Sequence, residues 1–81
     1  MATASISPTT AYWRTITTAL QAQIRQRDIV APEHLSPLWI DEYVGTGHGA
    51  PRFQATTATE PGHGWQRVAR VDPDGTVAVE S

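Results

Sequence analysis

Between residues 7 and 28 the apolar side chains recur at helical intervals. In "SPTTAYWRTITTALQAQIRQRD", Trp13, Ile16, Leu20 and Ile24 fall at i, i+3, i+7 and i+11. They form one stripe flanked by Tyr12 and Ala19, while Arg14, Thr18, Gln21 and Arg25 occupy the opposite side. Ser7 suits the capping position and Pro8 the first helical position, where no donor is needed. The pattern predicts an amphipathic helix that buries Trp13, Ile16, Leu20 and Ile24. Residues 1–6 are small and polar, and are expected to form a disordered tail.

The period changes after "IVAPEHLSP", where Pro32 and Pro37 break the helix into a loop or a single short turn. Leu38, Ile40 and Val44 then alternate with Trp39, Asp41 and Tyr43. A short helix begun at Ser36-Pro37 is the alternative, but the aromatic and β-branched content favours a strand over 38–44. Residues 52–58, 65–71 and 76–80 have the same character. Between the last two lies "DPDG", in which Asp72 can bond its own backbone, Pro73 presets the first turn dihedral and Gly75 accepts a positive φ. That order predicts a type I turn closed by a glycine bulge. The fold class is α+β: one N-terminal amphipathic helix packed on a three- to four-stranded, mostly antiparallel β-meander, in a single domain spanning 1–81.

Composition narrows the function classes. A chain of 81 residues is near the size at which one core is only just sufficient, so self-association would add stability. Cysteine is absent, which removes disulfides, thiolate nucleophiles and zinc-thiolate sites together. The net charge of −2 gives no general affinity for polyanions. No stretch approaches the roughly eighteen apolar residues of a membrane span, and the N-terminus lacks the pattern of a signal peptide. Lys and Asn are missing while Arg, Ala and Thr are plentiful, a bias associated with GC-rich bacterial genomes. A cytoplasmic protein with no membrane partner is the expectation.

The most conspicuous local motif is "YVGTGHGAPRF", with Gly45, Gly47 and Gly49 on alternate positions. Gly45, Gly47 and Ala50 satisfy the spacing of a dinucleotide fingerprint, but that chemistry needs a helix to open there and receive the pyrophosphate. Pro51 and "RFQATT" read instead as a strand, so the segment is expected to be a hairpin loop and no cofactor is assigned. His34, His48 and His63 could each ligate a metal. If consecutive strands alternate in direction, however, His48 and His63 fall at opposite ends of the sheet, roughly 20 Å apart. His34, Glu33 and Glu60 would then group with His63, and His48 with the Asp72–Asp74 turn. Neither grouping has a fixed ligand spacing, and no metal is assigned. Catalytic constellations are lacking as well: there is no nucleophile elbow, and Asp41 and Glu42 point to opposite faces of a strand.

The expectation that follows, largely by elimination, is a small non-enzymatic protein-binding module such as an inhibitor, accessory or regulatory factor. Its candidate contact residues are Val77, Ala78 and Val79 on a C-terminal edge strand that could pair with a partner or with a second copy. Trp39, Tyr43 and Trp65 join them as possible interface aromatics. The alternative is a nucleic-acid-binding protein using Arg14, Gln21 and Arg25 on the helix with Arg67 and Arg70 on the sheet. A small enzyme or metal-binding protein is the second alternative.

Overall fold

The computed structural model describes residues 8–45 and 51–80. The tail over 1–6, the capping Ser7, His48 and Ser81 lie outside the described residues. A helix, α1 (Pro8–Arg27), is followed by a short 3-10 turn at Pro32–His34 and by four strands. These are β1 (Leu38–Tyr43), β2 (Phe53–Thr56), β3 (Trp65–Val71) and β4 (Val77–Val79). The α+β architecture is the expected one, with residues 38–43 forming a strand rather than a helix.

The helix is unusually rich in threonine. Thr15 and Thr18 turn their hydroxyls back onto the carbonyls of Ala11 and Arg14, at 3.1 and 3.0 Å, so these polar groups are satisfied within the helix. Arg25 and Arg27 lie in the last turn, where cations offset the partial negative charge of the free carbonyls.

The buried face of α1 is rotated from the expected stripe. Ile16 and Ala19 are buried, with Tyr12 and Leu20 packed beside them, but Trp13 and Ile24 are 51% and 52% exposed. In their place the helix buries Gln23. Its Nε2 donates to the carbonyl oxygens of Ser36 (3.1 Å) and Val71 (3.0 Å), which satisfies backbone just before β1 and at the end of β3, at one end of the sheet. The helix turns to bring this donor inward, and the turn carries Trp13 and Ile24 off the contact. Ile16, Ala19, Ile40, Ala69 and Val71 are the fully buried apolar residues among those described.

All strand pairs are antiparallel, in the order β2-β1-β3-β4. The chain therefore does not visit neighbouring positions in turn. β2 and β3 both oppose β1 from either side, so they run in the same direction, and residues 57–64 must cross the sheet to join them. Val44 N–H donates to Gly64 O at 2.7 Å, which places the end of the crossover beside the end of β1. Gly64 takes a φ of +84°, and a side chain there would lie 3.1 Å from the Tyr43 ring, so this position requires glycine.

The crossover is held on the face away from α1. Ile40 faces the helix-side core, which puts Trp39, Asp41 and Tyr43 on the other face. Asp41 is nonetheless fully buried. Arg67 covers it, donating from Nε to Oδ1 at 3.0 Å and from Nη2 to Oδ2 at 3.3 Å. The same guanidinium donates to the carbonyls of Thr59 (2.7 Å) and Ala58 (3.1 Å) in the crossover. It also lies over the Trp39 ring, 4.5 Å from the centroid. A bulge makes this possible. Ile40 faces Ala69 and Asp41 faces Arg67, so Val68 is an extra residue in β3, and Arg67 and Arg70 emerge on one face although three positions apart.

Three substitutions test these assignments by urea unfolding. Ile16→Ala is expected to cost about 2–5 kcal/mol, and Ile24→Ala much less, whereas equal losses would contradict the rotated helix face. Arg67→Ala leaves a buried carboxylate unpaired and is expected to cost about 3–5 kcal/mol. Hydrogen exchange of residues 57–64 should accelerate in that variant, and unchanged protection there would refute the pinning role of Arg67.

Candidate functional site

The residues singled out in the sequence divide between two faces. Trp39, Tyr43, Trp65, Arg67, Arg70 and Ala78 share the face away from the helix, by their registers across β1, β3 and β4. Val77 and Val79 stand on the helix side of β4, in register with Val71 and Ala69.

On the first face the aromatic and basic groups are engaged with one another. Tyr43 and Trp65 meet edge to face at 5.1 Å. Arg70 lies 5.7 Å from the Trp39 centroid and pairs with Asp72. In that pair Nε is 2.9 Å from Oδ1 but off line for a hydrogen bond, while Nη2 donates to Oδ2 at 3.3 Å. Trp39, Tyr43 and Trp65 are all half-buried, whereas Trp13, expected in the core, is the tryptophan that reaches solvent. The arginines of the nucleic-acid alternative do not converge. Arg14, Gln21 and Arg25 are exposed on the outer side of α1, and Arg67 and Arg70 are held on the opposite side of the sheet.

The strand order also corrects the placement of the histidines. Because β2 and β3 are parallel, the His63 turn lies at the end of the sheet where the chain leaves β1 for the segment containing His48. The expected grouping of His63 with His34 does not hold, and His48 itself lies outside the described residues. His34 precedes β1 at the other end, near Leu38 and its partner Val71, and the Asp72–Asp74 turn lies at that end too. Among the described residues, no three His, Asp or Glu side chains are grouped to hold an ion. The glycine loop is followed by Pro51, Arg52 and β2 rather than by a helix, and Tyr43 N–H donates to Arg52 O at 3.0 Å. β1 and β2 pair antiparallel on either side of residues 46–50, and Gly47, Gly49 and Ala50 lie outside the described residues. Asp41 and Glu42 lie on opposite faces as expected, and Asp41 is committed to Arg67.

A surface cavity of about 380 Å³ lies between the second half of α1 and the segment before β1, lined by Gln23, Gln26, Val30, His34, Leu38 and Thr57. Its position orients the helix. The flank carrying Ala22 and Gln26 faces Thr57, just beyond β2. The opposite flank, with Trp13, Leu20, Ile24 and Arg27, therefore faces β3 and β4. Arg27 lines a second depression with Asp72, Pro73 and Asp74 of the β3–β4 turn, in agreement with that orientation.

The helix packs chiefly on β2 and β1 and leaves β4 at the margin. An apolar shelf results. Val79 is 67% exposed and Val68 and Val77 are half-buried beside it, while Ile24 and Trp13 are exposed on the helix flank that carries Leu20. Sequence periodicity had assigned Ile24 and Trp13 to the core. No feature of the chain's pattern distinguished these two from Ile16, because the rotation is imposed by Gln23.

The β3–β4 turn that presents this edge matches the expected type. Gly75 N–H donates to Asp72 O at 2.9 Å, Asp72 N–H donates to Thr76 O at 2.8 Å, and Gly75 has a φ of +92°. Asp74, rather than Asp72, provides the side-chain bond, accepting from Thr76 N–H at 2.9 Å. Asp72 is taken by Arg70.

Comparison with protein-family models, curated proteins and solved structures yielded no match, so no relative supplies a function for this surface.

The hydrogen bonds from Thr76 hold the Asp74 carboxyl below its ordinary pKa. A depressed folded-state pKa contributes stability above the unfolded value, and that stability is lost as pH falls through the folded one. The Asp74 side-chain signal is therefore expected to titrate below that of an unstructured aspartate, with the Thr76 amide shifting in step. An unshifted titration would refute the bond.

Proposed function

We propose that this chain is a small, non-enzymatic protein-binding module whose docking surface is the β4 edge with its apolar shelf. One observation carries the reading: Val79 stands 67% exposed on the open edge strand β4, and Trp13 and Ile24 are also exposed, on the helix flank turned away from β2. Exposed apolar side chains beside unpaired backbone suit β-strand addition, in which the main chain supplies hydrogen bonds and alternate side chains supply selectivity. The polar face of the sheet offers less to a partner, because Arg67 and Arg70 are already paired with carboxylates. Nucleic-acid binding is the alternative, and it would depend on Arg14 and Arg25.

Photocrosslinking residues placed at Val79, Ile24 and Gln21 in cells of the source organism discriminate between these readings. Protein adducts from Val79 and Ile24, but not from Gln21, are the expected result. Adducts confined to Gln21, or salt-sensitive oligonucleotide binding abolished by Arg14→Ala and Arg25→Ala, would overturn it.

A further inference from the structure

We propose that the occupant of the β4 edge is a second copy of this chain, paired antiparallel about a two-fold axis through Ala78. This inference rests on the docking surface proposed above and names its partner. The ladder fixes which groups are on offer. Thr76 O accepts from Asp72 N–H at 2.8 Å and Glu80 N–H donates to Val68 O at 2.9 Å, so residues 76, 78 and 80 address β3. By the same alternation, the N–H and C=O groups of Val77 and Val79 point outward. A two-fold at Ala78 sets Val77 of each copy against Val79 of the other, and each couple exchanges hydrogen bonds in both directions.

The side chains fit the same axis. Val77 and Val79 stand on the helix side, so the two couples bring the valines of both copies together in one extension of the apolar layer. Ala78 meets Ala78 on the other face, where its small side chain leaves room. The segment "TVAVES" carries one charge, Glu80, and the two-fold places it opposite Thr76. Parallel pairing in register would instead set Glu80 against Glu80. The edge also lacks the guards that keep strands apart: residues 76–79 contain no lysine, no proline and no inward charge. Among the described residues the fully buried apolar set holds three larger than alanine, Ile16, Ile40 and Val71, so covering Val79 matters more here than in a larger domain.

Sedimentation equilibrium from micromolar to millimolar concentration, with intermolecular NOE measurements on mixed isotope-labelled protein, tests the pairing. The expected results are the mass of two chains at the upper concentrations and contacts between Val77 and Val79 of different copies. Val79→Pro removes an outward N–H and spares the β3–β4 ladder, so it is expected to return the mass of one chain with an unchanged circular dichroism spectrum. Should that variant not fold, Val79→Asp keeps the backbone donor, sets a carboxylate against Val77, and is expected to give the same loss of mass. A wild-type protein that stays monomeric at millimolar concentration overturns the second-copy inference. Val79 crosslinks to other proteins would then still uphold the docking surface. A dimer that survives both variants in folded form overturns the β4 pairing itself.

Discussion

The Arg67 guanidinium is the point at which the non-local parts of this domain meet. It joins β3 to β1 through Asp41, fastens the 57–64 crossover through the Ala58 and Thr59 carbonyls, and covers Trp39. A buried carboxylate is costly unless its lone pairs are used, and here both oxygens accept from the same fork. A largely exposed crossover of eight residues with no helix or strand of its own is fastened to the sheet where Arg67 donates to two of its carbonyls.

This arrangement divides the labour between the two faces of the sheet. One is closed by polar bonds and stacked rings; the other is closed by α1, which lies mainly over β2 and β1. A single helix covers only part of a four-stranded sheet, and the part left uncovered is β4. Val79 is exposed for that reason, whereas Ile24 and Trp13 are exposed by the rotation of the helix.

Gln23 contributes to the same outcome. Its two bonds cap the Ser36 and Val71 carbonyls, and they draw that side of the helix inward. The helix could have buried a wider apolar stripe with a different rotation, but those carbonyls would then lack their donor. Satisfying buried backbone takes precedence over covering two more side chains that can remain half in water.

What the sequence determined by itself is what depends on near neighbours. The 3.6-residue period marked α1, β-branched and aromatic content marked the strands, and Asp72-Pro73-Asp74-Gly75 specified its turn within four residues. What only the tertiary structure decided depends on residues far apart in the chain. The strand order rests on Arg67 meeting Asp41 across 26 positions and on the bulge at Val68, which no local pattern announces. The rotation of α1 rests on Gln23 reaching Val71, 48 positions away, and a periodicity count scores that glutamine as solvent-facing. The placement of His63 and the exposure of Trp13 followed those two long-range choices. Local propensity and short-range hydrogen bonding set the elements, whereas the pairing of buried polar groups across the sheet set how they were assembled.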